Sequence, residues 1–220
     1  MLFLTLSTFS FISVAMLIYT RSIYPKDIEI SPKRISLGIL RGPLTRYVIS
    51  VSTPALGLVS LFIAIYWVGR EDPVLGAIYF IAIQVIQITA SIALGELYDR
   101  LGIKAIYIYY PLVPMIALGF AVNQLFFLLI GVVLAIEDSI QRAVVGDLAR
   151  GREAIAYGYY HLVYGLASAV GGYMVGYLAE HKMIPQLLTI SIALSAFGAL
   201  ILTTITFNSI FQFYRRSSYL

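Results

Sequence analysis

Seven apolar runs separated by polar segments constrain this sequence more than any other feature. The runs cover approximately residues 1–20, 46–69, 74–95, 104–122, 124–142, 154–179 and 184–206. At about 1.5 Å of rise per residue, each run can form a helix that crosses about 30 Å of hydrocarbon, with the fifth run only just long enough. The sequence therefore predicts an all-α polytopic membrane protein of about seven transmembrane helices.

The positively charged residues fall in alternate gaps between these runs. All but two of the 15 Lys and Arg residues lie after the first, third, fifth or seventh run, and the two exceptions are Arg70 and Lys182. Because cytoplasmic loops retain Lys and Arg, this alternation predicts the orientation in the membrane. We expect a multi-pass protein of the cell membrane with its amino terminus outside and its carboxyl terminus in the cytoplasm.

Composition excludes several other classes of protein. Hydrophobic residues make up 60% of the chain and charged residues only 12%, whereas soluble domains have about 25% charged residues. The basic residues lie in loops and form no continuous patch, so nucleic acid is not expected as a partner. There is no cysteine, no Ser/His/Asp order, no metal-ligand cluster and no Gly-rich phosphate loop. The sequence therefore predicts neither an enzyme nor a bound metal or cofactor.

The runs also divide the chain into segments. We predict a transmembrane helix at 1–20, a cytoplasmic linker at 21–45, a six-helix transmembrane bundle at 46–206 and a cytoplasmic tail at 207–220. The loops after the linker are short, so successive helices of the bundle should be antiparallel neighbours. Asp72 followed by Pro73 predicts a capped helix start.

Two sequence elements in consecutive cytoplasmic gaps carry a family resemblance. The first is Gly95-Glu96-Leu97-Tyr98-Asp99-Arg100-Leu101-Gly102-Ile103-Lys104. It resembles the Gly-x-Leu-x-Asp-Arg-x-Gly-Arg-Lys loop of the major facilitator superfamily and departs from that pattern at Ile103. The second element runs from Arg142 through Asp147 to Gly158 and is similar to a stretch of prokaryotic members of the superfamily.

The resemblance implies a twelve-span permease built from two six-helix halves. This chain then resembles the sixth helix, the central linker and the carboxy-terminal half of such a transporter. We expect a conformational latch on the cytoplasmic side, formed by Gly95, Asp99, Arg100, Gly102, Arg142 and Asp147. The alternative is that Asp99 and Arg100 are simply solvated loop charges.

Charged residues also lie inside the predicted spans. Glu137 and Asp138 are roughly 18 Å from the outer end of their helix, where a lone carboxylate costs several kcal/mol unless it is paired, protonated or hydrated. Asp138 and Arg142 are spaced i, i+4 on one face. Two alternatives stay open: Glu137 takes up and releases a proton during transport, or Glu137, Asp138 and Arg142 form a structural ion cluster near the inner mouth.

Two polar stripes accompany these charges. The stripe in the third span is Gln84, Gln87, Ser91 and Gly95, and the stripe in the sixth span is Tyr157, His161, Tyr164 and Ser168. Polar groups that face lipid would be unsatisfied, so the stripes predict a polar pathway, with interhelical hydrogen bonds as the alternative. The predicted pathway residues for substrate or proton are Gln84, Gln87, Glu137, Asp138 and His161.

Glycines of the sixth span share one helix face. Gly158, Gly165 and Gly172 recur every seven residues, and Gly176 follows four residues later. Missing side chains let a neighbouring backbone come close, so this face predicts a seam of helix packing.

Two functions of different kinds remain open. In the first, the chain is a secondary-active transporter of a small solute, or the carboxy-terminal half of one, that works by alternating access in the lipid bilayer. It would pair with a second six-helix half, either its own copy in a homodimer or a separate chain. In the second, it is a truncated transporter-derived membrane subunit with no independent transport activity.

Overall fold

The structure, a computed structural model, describes residues 42–149 and 151–217, with side chains through residue 205. These residues form helices and short connections, without a strand. The predicted span 1–20, most of the predicted linker 21–45 and the last residues of the tail 207–220 lie outside the described residues. The predicted all-α class is confirmed for the described part of the chain.

The described residues contain eight α-helices with short 3-10 and π segments between them. The α-helices are α1 Pro43–Ala55, α2 Leu61–Gly69, α3 Pro73–Leu101, α4 Tyr109–Ala117, α5 Leu129–Ile136, α6 Arg142–Ala149, α7 Glu153–Glu180 and α8 Ile184–Ser217. The 3-10 segments are Gly102–Ile108, Leu118–Phe120 and Gln124–Leu128, and the π segment is Glu137–Gln141.

Four continuous helical stretches are long and apolar enough to cross a membrane. They are Pro73–Phe120, Gln124–Ala149, Glu153–Glu180 and Ile184–Ile205. The helices are therefore compatible with membrane insertion, and the predicted count of seven spans is not confirmed.

The predicted span 46–69 is interrupted in the structure. It forms α1, of 13 residues, and α2, of 9 residues, each too short to cross a membrane without the other. Pro54 lies in the last turn of α1, and the Gly57 carbonyl in the break accepts a hydrogen bond of 2.8 Å from the Ser191 hydroxyl of α8. Ser60 caps α2, since its hydroxyl accepts a hydrogen bond from the Ile63 amide. The break is stable because α8, which is distant in sequence, supplies a hydrogen-bond donor for a backbone carbonyl in it. Hydropathy carries no information about such a partner.

The stretch Pro73–Phe120 has 48 residues, about twice the length needed for one span. Helix α3 runs parallel to α5 and the π segment, since Ile83 lies against Gly131 and Gln87 bonds Asp138 further along. Helix α4 runs in the opposite direction, because its start contacts Tyr164 beside Glu137 and its end packs on Phe127. The chain therefore reverses near Gly102, whose φ of 57° is outside the right-handed helical range.

The core lies where α1, α4, α5 and α8 meet, and the outer faces are apolar. Among the buried side chains are Tyr47, Val51, Tyr109, Val113, Ile136 and Leu202. Large exposed apolar side chains follow α3 and α7, such as Ile88 and Leu166. An apolar outer face is what helices need when lipid surrounds them.

The predicted helix start at Asp72 and Pro73 is confirmed. Helix α3 begins at Pro73, and the Asp72 carboxylate accepts hydrogen bonds from the Val74 and Leu75 amides. These bonds satisfy amides that have no partner within the helix.

Candidate functional site

The π segment Glu137–Gln141 interrupts the otherwise continuous helix Gln124–Ala149. A π turn widens the helix locally and changes the directions in which its side chains point, and such turns occur frequently at functional sites. Here the turn contains Glu137, Asp138 and Gln141, three polar residues of this apolar helix whose side chains contact neighbouring helices.

Asp138 connects two helices through its two carboxylate oxygens. One oxygen accepts a hydrogen bond of 2.6 Å from the Gln87 amide of α3. The other lies 2.9 Å from the Arg142 guanidinium at the start of α6. The predicted proximity of Asp138 and Arg142 is thus confirmed, and their side chains are 39% and 53% exposed, respectively. The pair therefore lies at the surface of the described bundle, where a substrate or another helix can reach it.

Glu137 points to different partners from those of Asp138. Its carboxylate accepts a hydrogen bond from the Tyr164 hydroxyl of α7. That hydroxyl is also 3.3 Å from the hydroxyl of Tyr109 on α4. Tyr109 and Tyr164 are both buried, so Glu137 faces the interior of the bundle while Asp138 faces its surface.

Gln141, at the end of the π segment, is fully buried. Its side-chain oxygen accepts a hydrogen bond of 2.6 Å from Tyr160, and the hydroxyl of Tyr47 is 3.5 Å from its backbone oxygen. The side-chain nitrogen of Gln141 has no hydrogen-bond partner among the described residues. Such a group is costly to bury unless a rearrangement or a small bound molecule satisfies it.

We call Gln87, Glu137, Asp138, Arg142 and Tyr164 the polar cluster. With both acids ionised, it has two carboxylates and one guanidinium, which gives a formal charge of minus one. Its acceptors and donors can bind a polar solute, and a carboxylate that accepts from a hydroxyl can exchange a proton through it. Among the described residues, no group of three or more His, Cys, Asp or Glu side chains is placed to hold a metal ion.

The predicted pathway residues separate into two groups. Gln87, Glu137 and Asp138 belong to the polar cluster, and half-buried Gln84 lies about one turn before Gln87 on α3. His161 is exposed on α7, and its ring contacts that of Tyr160 with the centroids 4.9 Å apart. Two of the three helices of the cluster thus contribute residues that were predicted for the pathway. The third helix, α7, contributes Tyr164 instead of the predicted His161.

The predicted latch region is mostly helical. Helix α3 continues through Leu101, and Gly102, with a positive φ, lies directly after its end. Arg100 pairs with Glu96 on the same helix. The contact between this region and α6 is a hydrogen bond from the Tyr98 hydroxyl to the carboxylate of Asp147. Asp147 thus contacts the segment 95–104, whereas Arg142 lies in the polar cluster. That the six predicted residues form a latch stays a prediction.

The predicted glycine seam has little contact with the described residues. A Cβ added at Gly158, Gly165 or Gly172 would meet nothing within 4 Å, and one at Gly176 would lie 3.8 Å from Ile63. The close contact is at Gly171, where an added Cβ would be 2.5 Å from the Ala55 carbonyl. Sequence periodicity identified the right helix, but the rotation of α7 about its axis turns the predicted face outward within the described bundle.

Sequence reasoning missed the tyrosines that complete the site. Tyr109 and Tyr160 were not predicted as site residues, and Tyr164 was assigned to a stripe without its acidic partner. The spacing of Tyr157, Tyr160 and Tyr164 on one helix was a usable signal, since buried tyrosine hydroxyls generally need a partner.

These features define the described part of the chain as an all-helical bundle with apolar helices of membrane-spanning length and a polar cluster among them. Comparisons with known protein families, with curated proteins and with solved structures found no match.

Proposed function

We propose that this chain is a secondary-active transporter of a small solute, or the carboxy-terminal half of one, and not an enzyme. We further propose that it is a multi-pass protein of the cell membrane, with its amino terminus outside and its carboxyl terminus in the cytoplasm. We assign it, as part of the same proposal, to the major facilitator superfamily. The observation that carries the proposal is the polar cluster, which joins α3, the π segment and α7 within helices of membrane-spanning length. Ionisable residues at such depth generally serve a substrate or ion pathway.

The contacts of Asp138 support a role in binding solute. Its bonds to Gln87 and Arg142 are partly exposed, so a polar solute can compete for the same donors and acceptors. Exchange of the Gln87 bond for a solute bond would remove this hydrogen bond between α3 and the π segment. Binding would thereby change how the helices pack, which alternating access requires.

The contacts of Glu137 support the proton alternative over the structural ion cluster. Arg142 pairs with Asp138, and Glu137 instead accepts from the Tyr164 hydroxyl. A hydroxyl can donate to a carboxylate and can accept from a carboxylic acid, so both protonation states of Glu137 retain a partner. We propose that Glu137 binds the coupling proton.

Two exposed features of the described bundle support pairing with a second half. Asp138 and Arg142 are exposed, and Gly158 and Gly165 on the neighbouring helix make no close contact with the described residues. Charged side chains are costly against lipid, and glycines leave room for another backbone. A second six-helix half, either a second copy or a separate chain, would cover both features. The same observation is also consistent with the second candidate function. Without that half, the chain would be a membrane subunit with no transport activity of its own.

Uptake of radiolabelled solutes into proteoliposomes tests the proposal. A solute panel is screened with the chain reconstituted both with and without the product of the adjacent open reading frame. We expect uptake in at least one arm, and Gln87→Leu should reduce it strongly because the Asp138 partner is lost. Thr89→Val is the matched control, since the Thr89 hydroxyl bonds backbone carbonyls of its own helix. No uptake in any arm, with pairing confirmed, would favour the non-transporting subunit.

A further inference from the structure

A second candidate site is an apolar groove between α2 and α3, built from none of the polar-cluster residues. It has a volume of about 650 Å³ and is lined mainly by Phe62, Ile65, Tyr66, Ala77 and Phe80, with Arg70 at one end. The volume is in the range of ligand sites. Phe62 is 79% exposed, so the groove opens to the outer side of the bundle. In a bilayer, that side faces hydrocarbon.

Two glycines form the floor of the groove. Gly69 and Gly76 both line it, and a Cβ added at Gly76 would be 2.9 Å from the Cα of Gly69. The two helices cross at this contact, and the absent side chains leave the space above it open. The backbones of the two helices therefore form the floor of the groove, and the larger side chains form its walls.

One positive side chain, Arg70, lines the groove, and one negative side chain, Glu71, lies beside Arg70. The Arg70 guanidinium lies 4.0 Å from the centroid of the Trp67 ring, a cation–π contact that restricts its position. The carboxylate of Glu71 is 4.0 Å from Arg70 and its side chain is 85% exposed. Asp72 is engaged at the start of α3. These charges lie between Trp67 and Pro73, where a membrane-length stretch begins, and interfacial Trp residues generally lie at the level of lipid headgroups.

We propose that this groove binds a phospholipid with a zwitterionic, amine-bearing headgroup, such as phosphatidylethanolamine. Its acyl chain lies on the glycine floor, its phosphate accepts hydrogen bonds from Arg70, and its ammonium donates to Glu71. A lipid with a net negative headgroup fits less well, because the carboxylates of Glu71 and Asp72 would repel it. This inference requires a bilayer and is independent of the proposed transport.

Fluorescence of the single tryptophan tests the inference directly, since Trp67 lies under Arg70 and is the one Trp in the sequence. The full chain is reconstituted in phosphatidylglycerol nanodiscs that contain a small fraction of brominated phosphatidylethanolamine or, separately, brominated phosphatidylglycerol. The quenching should show that the ethanolamine lipid associates roughly five-fold more strongly than phosphatidylglycerol does. This difference is about what one headgroup contact contributes. Equal quenching by the two lipids would mean ordinary boundary lipid, and stronger quenching by phosphatidylglycerol would mean an anionic site; either result overturns the proposal.

Variants separate the headgroup contacts from the groove. Glu71→Gln should abolish the preference for the ethanolamine lipid, whereas Lys182→Gln, a charge change in another loop on the same side, should leave it intact. Ala77→Phe fills the groove and should remove quenching by both lipids, while Ala93→Phe on the exposed face of the same helix should not. Circular dichroism and gel filtration establish that each variant is folded. If Ala77→Phe is folded and the ethanolamine preference persists, the groove is not the binding site.

Discussion

The Tyr164 hydroxyl of α7 donates a hydrogen bond to the carboxylate of Glu137 in the π segment. The same hydroxyl lies 3.3 Å from that of Tyr109, so a single buried tyrosine links three helical segments around one acid. Next to it, Asp138 bonds Gln87 of α3 and pairs with Arg142. The two consecutive acids thus have separate partners on different faces of one helix.

Tyr164→Phe should destabilise the folded chain by about 1 kcal/mol, since interhelical hydrogen bonds in membranes are worth about that much or less. The measurement is unfolding of the reconstituted chain in mixed detergent micelles. Tyr173→Phe on the same helix is the control, because the Tyr173 side chain is 78% exposed. An equal loss of stability in both variants would contradict the role of the Glu137 bond.

Glu137→Gln should remove the pH dependence of uptake in the complete reconstituted transporter, because an amide cannot bind the coupling proton. Uptake is measured from about pH 5 to about pH 8, a range that covers the charge changes of perturbed carboxylates. Glu180→Gln at the exposed end of α7 is the control. A wild-type pH profile in the Glu137→Gln variant would instead support the structural ion cluster.

Asp138 and Arg142 should show strong coupling in a double-mutant cycle. Asp138→Asn leaves Arg142 without its carboxylate, and Arg142→Gln leaves Asp138 with the Gln87 amide. Each single change should cost about 1–3 kcal/mol of unfolding free energy, given the partial exposure of the pair. The double variant should cost less than the sum of the singles. Additive losses would show that the two charges do not interact.

Gly171→Leu should disrupt the chain, whereas Gly165→Leu should leave the isolated chain folded. An added side chain at Gly171 would collide with the backbone of α1, but one at Gly165 meets no described atom within 4 Å. Overpacking of this kind costs roughly 1–3 kcal/mol or more. Thermal unfolding in detergent compares the two variants. If the face of Gly165 contacts a second half, Gly165→Leu should weaken pairing in native mass measurements without changing the stability of the single chain.

Membrane orientation can be tested with single cysteines, because the chain has none. Lys182→Cys should react with an impermeant maleimide from outside the cell, and Arg152→Cys should react only after permeabilisation. The expectation follows from the retention of basic loops in the cytoplasm. Labelling in the reverse pattern would overturn the orientation and would weaken the resemblance to the major facilitator superfamily.

The sequence by itself determined the features that depend on near neighbours in the chain. Apolar runs determined the membrane-length helices, Asp72 and Pro73 determined the start of α3, and the spacing of Asp138 and Arg142 determined their pairing. Each of these rests on helix geometry over at most one or two turns, or on the length of one run.

Only the tertiary structure decided which face of each helix meets a neighbour. It broke the predicted span 46–69, turned Gly171 instead of Gly165 toward α1, and brought Tyr164 to Glu137. The physical reason is that lipid and the protein interior are both apolar, so hydropathy does not fix the rotation of a helix about its axis. That rotation is set by close packing and by the partners that distant helices offer to polar groups, as Ser191 does for Gly57.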